Sequence, residues 1–389
     1  MRTRPSSRAL PVLLAVLALL LGAAAPARAQ QEGPVGGPLL GSRGVVLPVG
    51  APPVPAEVVA HGWLVADLDT GAVLAAKDAH GRYAPASTLK ILTAVALIPE
   101  LDPRRKLVPT YDDIAVDGSK VGLVERVGYP VDELFAALMM VSGNDVANTL
   151  ARGAGGPAAI ATMNKTAQRL GALDTHAVNP SGLDARGQVS SPYDLAVLSR
   201  AGMQIPAFRR YVATRSASVS GPGGRRIETA NHNRLLRNYP GALGIKNGWT
   251  STAKASFVGA ARRNGRTLVV SLMRTRPGVH REAATLLDWG FAAAAAGVQP
   301  VGTLVEPLPE QTPTAAPPPV PSTAPPTPAA GPADRPQGAV LRSASGEVDD
   351  GGLGMALELT TAAGVLALAV VLRRRRVVRR RRQRRLAAR

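Results

Sequence analysis

Apolar runs of strand length, bounded by turn residues, stand at two distant places in the chain. Trp63 to Leu68 reads as a strand, Asp69-Thr70-Gly71 as its turn and Ala72 to Ala76 as the returning strand. Ala255 to Arg262 and Arg266 to Met273 repeat the arrangement around Asn264-Gly265, a two-residue turn suited to a tight hairpin. Between these hairpins the period becomes helical. Val131, Leu134, Phe135 and Leu138 mark a helix over Val131 to Met140. Further helices are expected from about Val146 to Arg152, from Ala158 to Leu170 with Gly171 closing it, and from Pro192 to Met203. Arg281 to Ala296 forms a last helix, and Gly221 to Gly224 a turn. Leu107 to Arg126 is turn-rich and shows no clear period. Strands at both ends with helices between them imply one mixed sheet built from distant segments, with an inserted helical lobe. Residues 58–300 are ample to bury a core.

The flanks have other compositions. Residues 30–57 are rich in Gly and Pro and read as a flexible leader. Residues 301–350 are Pro-rich, with Thr, Ala and Ser, and read as a disordered, extended stalk. Arg2, Arg4 and Arg8 precede the apolar run Ala9 to Leu21, and Ala27-Arg28-Ala29 supplies small residues for cleavage, so residues 1–29 read as a secretory signal peptide. Gly351 to Leu372 is long and apolar enough for a transmembrane helix, with Glu358 as its one charge. The Arg-rich tail 373–389 then stays cytoplasmic by the positive-inside rule. An uncleaved N-terminal anchor, or a buried C-terminal helix followed by a nucleic-acid-binding tail, are the other readings of these ends.

Charge follows the same division. The net charge of +19 suggests nucleic acid, yet residues 373–389 alone carry 11 arginines and residues 1–29 another four, with no acids in either. The stretch between them is nearly balanced, so nucleic acid is not an expected partner. The chain has no cysteine, which excludes disulfides, a thiolate nucleophile and thiolate metal sites. Its five histidines are scattered, with no metal-ligand spacing among them.

Candidate chemistry lies in Ser87-Thr88-Leu89-Lys90. Pro85 leads in, an apolar helix-like run follows, and Pro99 ends it. A spacing of three puts Ser87 and Lys90 on one face of the helix start, where the amine reaches the hydroxyl and the dipole favours a developing anion. A nucleophile, a base and anion-stabilising amides are what covalent acyl transfer requires. Taken alone, Ser87 is equally a helix cap, and a second such pair, Ser251 and Lys254, reads as coincidence. Two further polar clusters follow in order: Ser142-Gly143-Asn144 and Lys246-Asn247-Gly248. Ser142 alone is also a turn residue, Asn144 a cap and Lys246 an exposed strand lysine.

The ordered set resembles the penicillin-recognising serine acyltransferases, with their S-x-x-K, S-x-N and K-T-G motifs. Within that group it is most similar to the low-molecular-mass penicillin-binding proteins, the serine-type D-alanyl-D-alanine carboxypeptidases, which are related to serine β-lactamases. The stretches Pro85 to Ala94, Ser142 to Ala147, Met163-Asn164 and Asn179-Pro180-Ser181-Gly182-Leu183-Asp184 carry the same likeness, which spans about His61 to Phe291. Asn247 departs from it, standing where Thr is usual. The resemblance implies an α+β, β-lactamase/transpeptidase-like fold, with a central antiparallel sheet flanked by helices and an inserted all-helical lobe. It implies Ser87 as nucleophile, Lys90 as its base and Ser142 as proton relay. Asn144, Lys246, Thr250 and Trp249 would bind substrate, with the backbone amides of Ser87 and Trp249 forming the oxyanion hole. A further carboxylate-binding arginine is expected among Arg274, Arg276 and Arg281. No cofactor or metal is implied. The expected substrate is the peptidoglycan pentapeptide stem and the expected inhibitors are β-lactams. The reading is thus of an exported carboxypeptidase held on the outer face of a bacterial membrane. A β-lactamase and a non-catalytic peptidoglycan-binding module of the same fold are the competing readings. Against the first, Gly143 replaces the central aspartate of S-D-N and residues 153–179 hold no glutamate to activate water.

Overall fold

The computed structural model describes residues 33–306 except 222 and 224. The strands are β1 (Val45–Val46), β2 (Gly62–Asp67), β3 (Ala72–Lys77), β4 (Lys106–Leu107), β5 (Tyr129–Pro130), β6 (Ser216–Ser220), β7 (Arg226–Ala230), β8 (Ala242–Thr250), β9 (Lys254–Arg263), β10 (Arg266–Thr275) and β11 (Gly302–Thr303). The longer helices are α1 (Lys90–Leu97), α2 (Val131–Met140), α3 (Asn144–Gly153), α4 (Pro157–Arg169), α5 (Pro192–Gln204), α6 (Pro206–Ala213) and α7 (Val279–Ala295). The main sheet runs β1-β3-β2-β10-β9-β8, with β11 also on β3. Every pairing in it is antiparallel, so the sheet is not the mixed one expected from the segment order. Two hairpins simply join along the β2–β10 seam.

Helices cover both faces of this sheet, which explains why its strands read as apolar runs without polar alternation. Leu64 and Ala66 enter the core shared with the helical lobe, while Trp63 and Val65 enter a second core beneath α7. Within the lobe, all eight residues of α1 are buried, with α2, α3, α4 and α5 packed around it. A helix that is apolar on all sides belongs at the centre of its domain, and this one carries Lys90 at its first position.

Two boundaries change. The leader expected to be flexible is laid along the domain wherever it is described. Leu40 is 1% exposed and sits in the main core. Its neighbour β1 pairs with β3, and Trp289 Nε1 donates to the Pro52 carbonyl at 2.9 Å. Gly and Pro dominate the composition of this segment, but its few apolar side chains find an uncovered sheet edge and bury there. Likewise the start of the stalk moves outward, since β11 pairs with β3 and Leu304 is buried. Helix α6 and the β6–β7 hairpin were not foreseen, although the Gly221 turn was; β7 is Arg226-Ile227-Glu228-Thr229-Ala230 and mostly exposed, so no apolar pattern marks it. The expected signal peptide, most of the stalk, the 351–372 span and the basic tail lie outside the described residues. Among the described residues no helix is long and apolar enough to cross a membrane.

Candidate active site

Ser87 sits in a single 3-10 turn, Ala86–Leu89, that leads directly into α1. Its neighbour Ala86 has a φ of +50°, a left-handed conformation that costs a non-glycine residue about 1–2 kcal/mol. Surrounding contacts hold it there. Ser256 Oγ on β9 donates to the Pro85 carbonyl at 2.7 Å, and Thr88 Oγ1 donates to the same atom at 2.6 Å. Gly248 on β8 presses against the turn from the other side: a Cβ there would stand 2.7 Å from the Ser87 nitrogen. The glycine of the third cluster is therefore what lets the strand lie against the nucleophile's amide.

Lys90 is fully buried. Its Nζ lies 3.0 Å from Ser87 Oγ, 2.7 Å from Asn144 Oδ1 and 2.6 Å from the Ser181 carbonyl. Burial is the largest cause holding its amine well below the usual lysine value; the charge of Lys246 adds to this and Asp145 opposes it. The partners decide what the amine can do in its neutral form. Asn144 Oδ1 and the Ser181 oxygen accept only, so they take the two N–H bonds. The lone pair is then left facing the Ser87 hydroxyl, in position to take its proton.

Asn144 is the first residue of α3 rather than its cap, which is Gly143. Its Nδ2 donates to the Asp117 carbonyl at 2.7 Å, which fixes the amide with Oδ1 toward Lys90. Ser142 has a φ of +64° just past the end of α2, so the turn reading holds for its backbone. Its hydroxyl, buried and without a partner among the described residues, is left free for something else. Lys246 is fully buried, not an exposed strand lysine, and burial pulls its amine down to about 7. Its Nζ donates to the Asn247 carbonyl at 2.8 Å. Asn247 points to the opposite face of β8, where its Oδ1 is buried and unpartnered. Trp249 is largely exposed, and Thr250 Oγ1 donates to Asp184 Oδ1 at 2.8 Å, tying the strand's end to the 179–184 loop. Arg276 and Arg281 line a cleft beside Pro277 and His280, and Arg274 is not part of its lining.

Two contributors went unassigned at the level of sequence. Asn179 Oδ1 gathers the amides of Ser181 and Gly182 and so presents the Ser181 carbonyl to Lys90. Asp145, fully buried, accepts from the amides of Val121, Gly122 and Leu123 and anchors that loop beside Ser142. The Asn-Pro-Ser-Gly turn was legible; the 91-residue reach from Ser181 back to Lys90 was not. The coincidental pair, Ser251 and Lys254, is exposed at the β8–β9 turn.

Known proteins share this architecture. A family model described as D-alanyl-D-alanine carboxypeptidase, Peptidase_S11, matches residues 49–276. The chain is 42% identical over 255 residues to D-alanyl-D-alanine carboxypeptidase DacB2 of Mycobacterium tuberculosis, across 64% of this chain and 87% of that one. A crystal structure of a D-alanyl-D-alanine carboxypeptidase from Mycobacterium tuberculosis superimposes with a TM-score of 0.62 at 41% identity, covering 68% of this chain and 100% of that one. A mutant of the Streptomyces K15 DD-transpeptidase gives 0.57 at 29% identity, covering 60% and 98%.

Proposed function

The chain belongs to the D-alanyl-D-alanine carboxypeptidase family, a serine-type peptidase of peptidoglycan metabolism with a penicillin-binding fold, and from that premise we propose that it trims the terminal D-alanine of stem peptides through an acyl-enzyme on Ser87. Ser87 Oγ attacks the carbonyl between the two D-alanines while the neutral Lys90 amine takes its proton. Ser142 relays a proton to the departing amine, and Lys246 supplies positive charge toward the terminal carboxylate. Asn144 positions Lys90 and the substrate. The amides of Ser87 and Trp249 receive the oxyanion, and water then releases the shortened peptide. The observation that carries this reading is the pair of obligate acceptors at Lys90 Nζ, Asn144 Oδ1 and the Ser181 carbonyl, which take the two N–H bonds of a neutral amine and leave its lone pair facing the Ser87 hydroxyl.

Localisation is part of the proposal. The basic and apolar pattern of residues 1–29 supports export, and the apolar 351–372 stretch followed by arginines supports a single-pass anchor with the catalytic domain outside. The test is mass spectrometry of the purified full-length chain in detergent, mixed with benzylpenicillin, beside Ser87→Ala. A lasting penicilloyl adduct on Ser87, absent from the variant, supports the carboxypeptidase reading. Rapid penicillin turnover without an adduct would instead indicate a β-lactamase. Neither adduct nor turnover would indicate a non-catalytic module.

A further inference from the structure

Asp145, the second residue of α3, takes no part in the acyl transfer described above, yet it is fully buried. Among the described residues no Lys, Arg or His lies within ion-pair distance of it. Backbone amides hold it instead. Its Oδ1 accepts from Val121 at 3.1 Å and from Val146 at 2.9 Å. Its Oδ2 accepts from Gly122 at 2.8 Å and from Leu123 at 3.1 Å. A carboxylate accepts on both oxygens and donates from neither, which suits converging N–H groups. Burying one without a counter-charge is costly, and here the loop amides compensate it.

That loop has little else to shape it. Residues 115–124 form no helix or strand, and most of them are exposed. Its business is with Asn144. The Asp117 carbonyl accepts from Asn144 Nδ2 and the Ser119 carbonyl from the Asn144 amide, both at 2.7 Å. Gly118, between them, has a φ of +81°, and a Cβ there would stand 2.8 Å from Asn144 Nδ2. Gly143 makes room on the other side. A Cβ at that position would stand 2.7 Å from Asp145 Oδ1 and 2.8 Å from Val121 Cγ2, driving the loop and the carboxylate apart. Asn144 Oδ1 in turn takes an N–H of Lys90 at 2.7 Å. A continuous path therefore runs from the Asp145 carboxylate through the loop to Asn144, and from Asn144 to the base.

We infer that Asp145 is a positioning residue for acylation: by holding the 117–123 loop on Asn144, it fixes the amide that aims Lys90 at Ser87. The inference rests on the acyl-enzyme reading above. Asp145 also reaches Lys90 through its charge. Burial lowers the pKa of the Lys90 amine most, and the charged groups that bear on it are Lys246 from β8, which lowers it further, and Asp145 from α3, which raises it. Ser87, Asn144 and the Ser181 carbonyl complete its surroundings without charge.

The test is the Asp145→Asn variant of the full-length chain, with acylation by benzylpenicillin followed by mass spectrometry across a range of pH. Whichever way the carboxamide turns, its NH2 group faces two backbone N–H groups, so the loop loses part of its anchor while the side chain keeps its size. The limiting rate of acylation at saturating penicillin should fall about tenfold or more, with the half-saturating concentration within about twofold of the wild type. Removing the anion also disfavours the ammonium form of Lys90. The acid limb of the acylation profile should therefore move to lower pH, by about half a unit or more. A residue that only supported the fold would lower the melting temperature and leave that limb in place. Gly118→Ala, on the exposed loop and away from the buried carboxylate, should repeat the fall in limiting rate at nearly the wild-type melting temperature, and it decides the matter if Asp145→Asn does not fold. A slower Asp145→Asn enzyme with its acid limb unmoved overturns the inference, as does a wild-type rate in either variant. Failure of the wild type itself to form a penicilloyl adduct on Ser87 overturns the acyl-enzyme reading and this inference with it.

Discussion

The two edges of the main sheet are built to opposite ends. At the β3 edge the segments flanking the catalytic region close the sheet. Strand β1 pairs on one part of β3 and β11 on another, and Thr303 donates to the Gly36 carbonyl at 2.8 Å to join the two covering segments. At the β8 edge no strand follows among the described residues. Instead the Ser87 turn lies against it, and the backbone around it is strained. Ala86, Ser142 and Ile245, each in or beside a motif, have φ of +50°, +64° and +97°. Polar atoms left unpartnered, Ser142 Oγ and Asn247 Oδ1, belong to the same region. An uncovered edge is a liability unless something is meant to bind there. This sheet hides one edge in its core and spends strain to keep the other open, where an extended peptide can align.

The largest effect is expected where the open edge is tightest. Gly248→Ala would place a Cβ 2.7 Å from both the Ser87 nitrogen and Ser256 Oγ and 3.0 Å from Ala86 Cβ. Strand and turn must then separate, moving the Ser87 amide away from that of Trp249 on β8. Acylation by benzylpenicillin should slow by about 10²-fold or more, since misplacement by about 1 Å costs that much. Thermal melting should fall by only a few degrees. If the variant acylates at the wild-type rate, the close approach of β8 to Ser87 is not part of how the site works.

Which of these features the sequence displayed follows from how local each one is. Hairpins β2–β3 and β9–β10 and helices α2, α4, α5 and α7 are set by short-range pattern and were legible within a few residues. The motifs were legible as an ordered set because S-x-x-K is one turn of helix. Three things were not. The leader's docking depends on Leu40 and β1 meeting a strand more than 25 residues later, behind a Gly/Pro composition that mimics a linker. The left-handed residues Ala86 and Ile245 carry ordinary side chains and give no glycine signal. The second acceptor of the Lys90 amine is a backbone carbonyl, and a carbonyl leaves no trace in residue identity.

The closed edge should respond in stability and not in rate. Leu40→Ala removes a side chain that is 1% exposed in the main core and should cost about 2–3 kcal/mol. Urea denaturation followed by circular dichroism would measure it. Acylation by penicillin should stay within about twofold, because the edge is remote from Ser87 in the sheet order. An unchanged urea midpoint would mean that the leader is not part of the folded domain. A large loss of acylation would mean that the two edges are coupled.

A smaller effect on the closed edge depends on pH and comes from His80. Its Nδ1 lies 2.8 Å from Asp174 Oδ2 and its Nε2 3.0 Å from the Val35 carbonyl in the leader. A carbonyl and an ionised carboxylate both accept, so both ring nitrogens can donate only in the imidazolium form. Burial alone would lower the pKa, but the hydrogen bond and charge of Asp174, the Val35 carbonyl and the charge of Asp194 together outweigh it, and the net shift is upward. A raised folded-state pKa means that the proton stabilises the fold. That contribution is complete below the unfolded value near 6.5 and disappears as pH rises through the higher folded value. Asp194 titrates nearby, its buried carboxyl pushed up to about 7, and it too makes the fold less stable as it ionises. Subtracting the His80→Gln variant isolates the part of the pH dependence that needs the imidazole, its charge coupling to Asp194 included. The wild type should melt above the variant at pH 6, and the gap should narrow steadily as pH climbs past 6.5. A gap that stays constant across this range would show that His80 holds the leader as a neutral ring, with one of its two hydrogen bonds unmade.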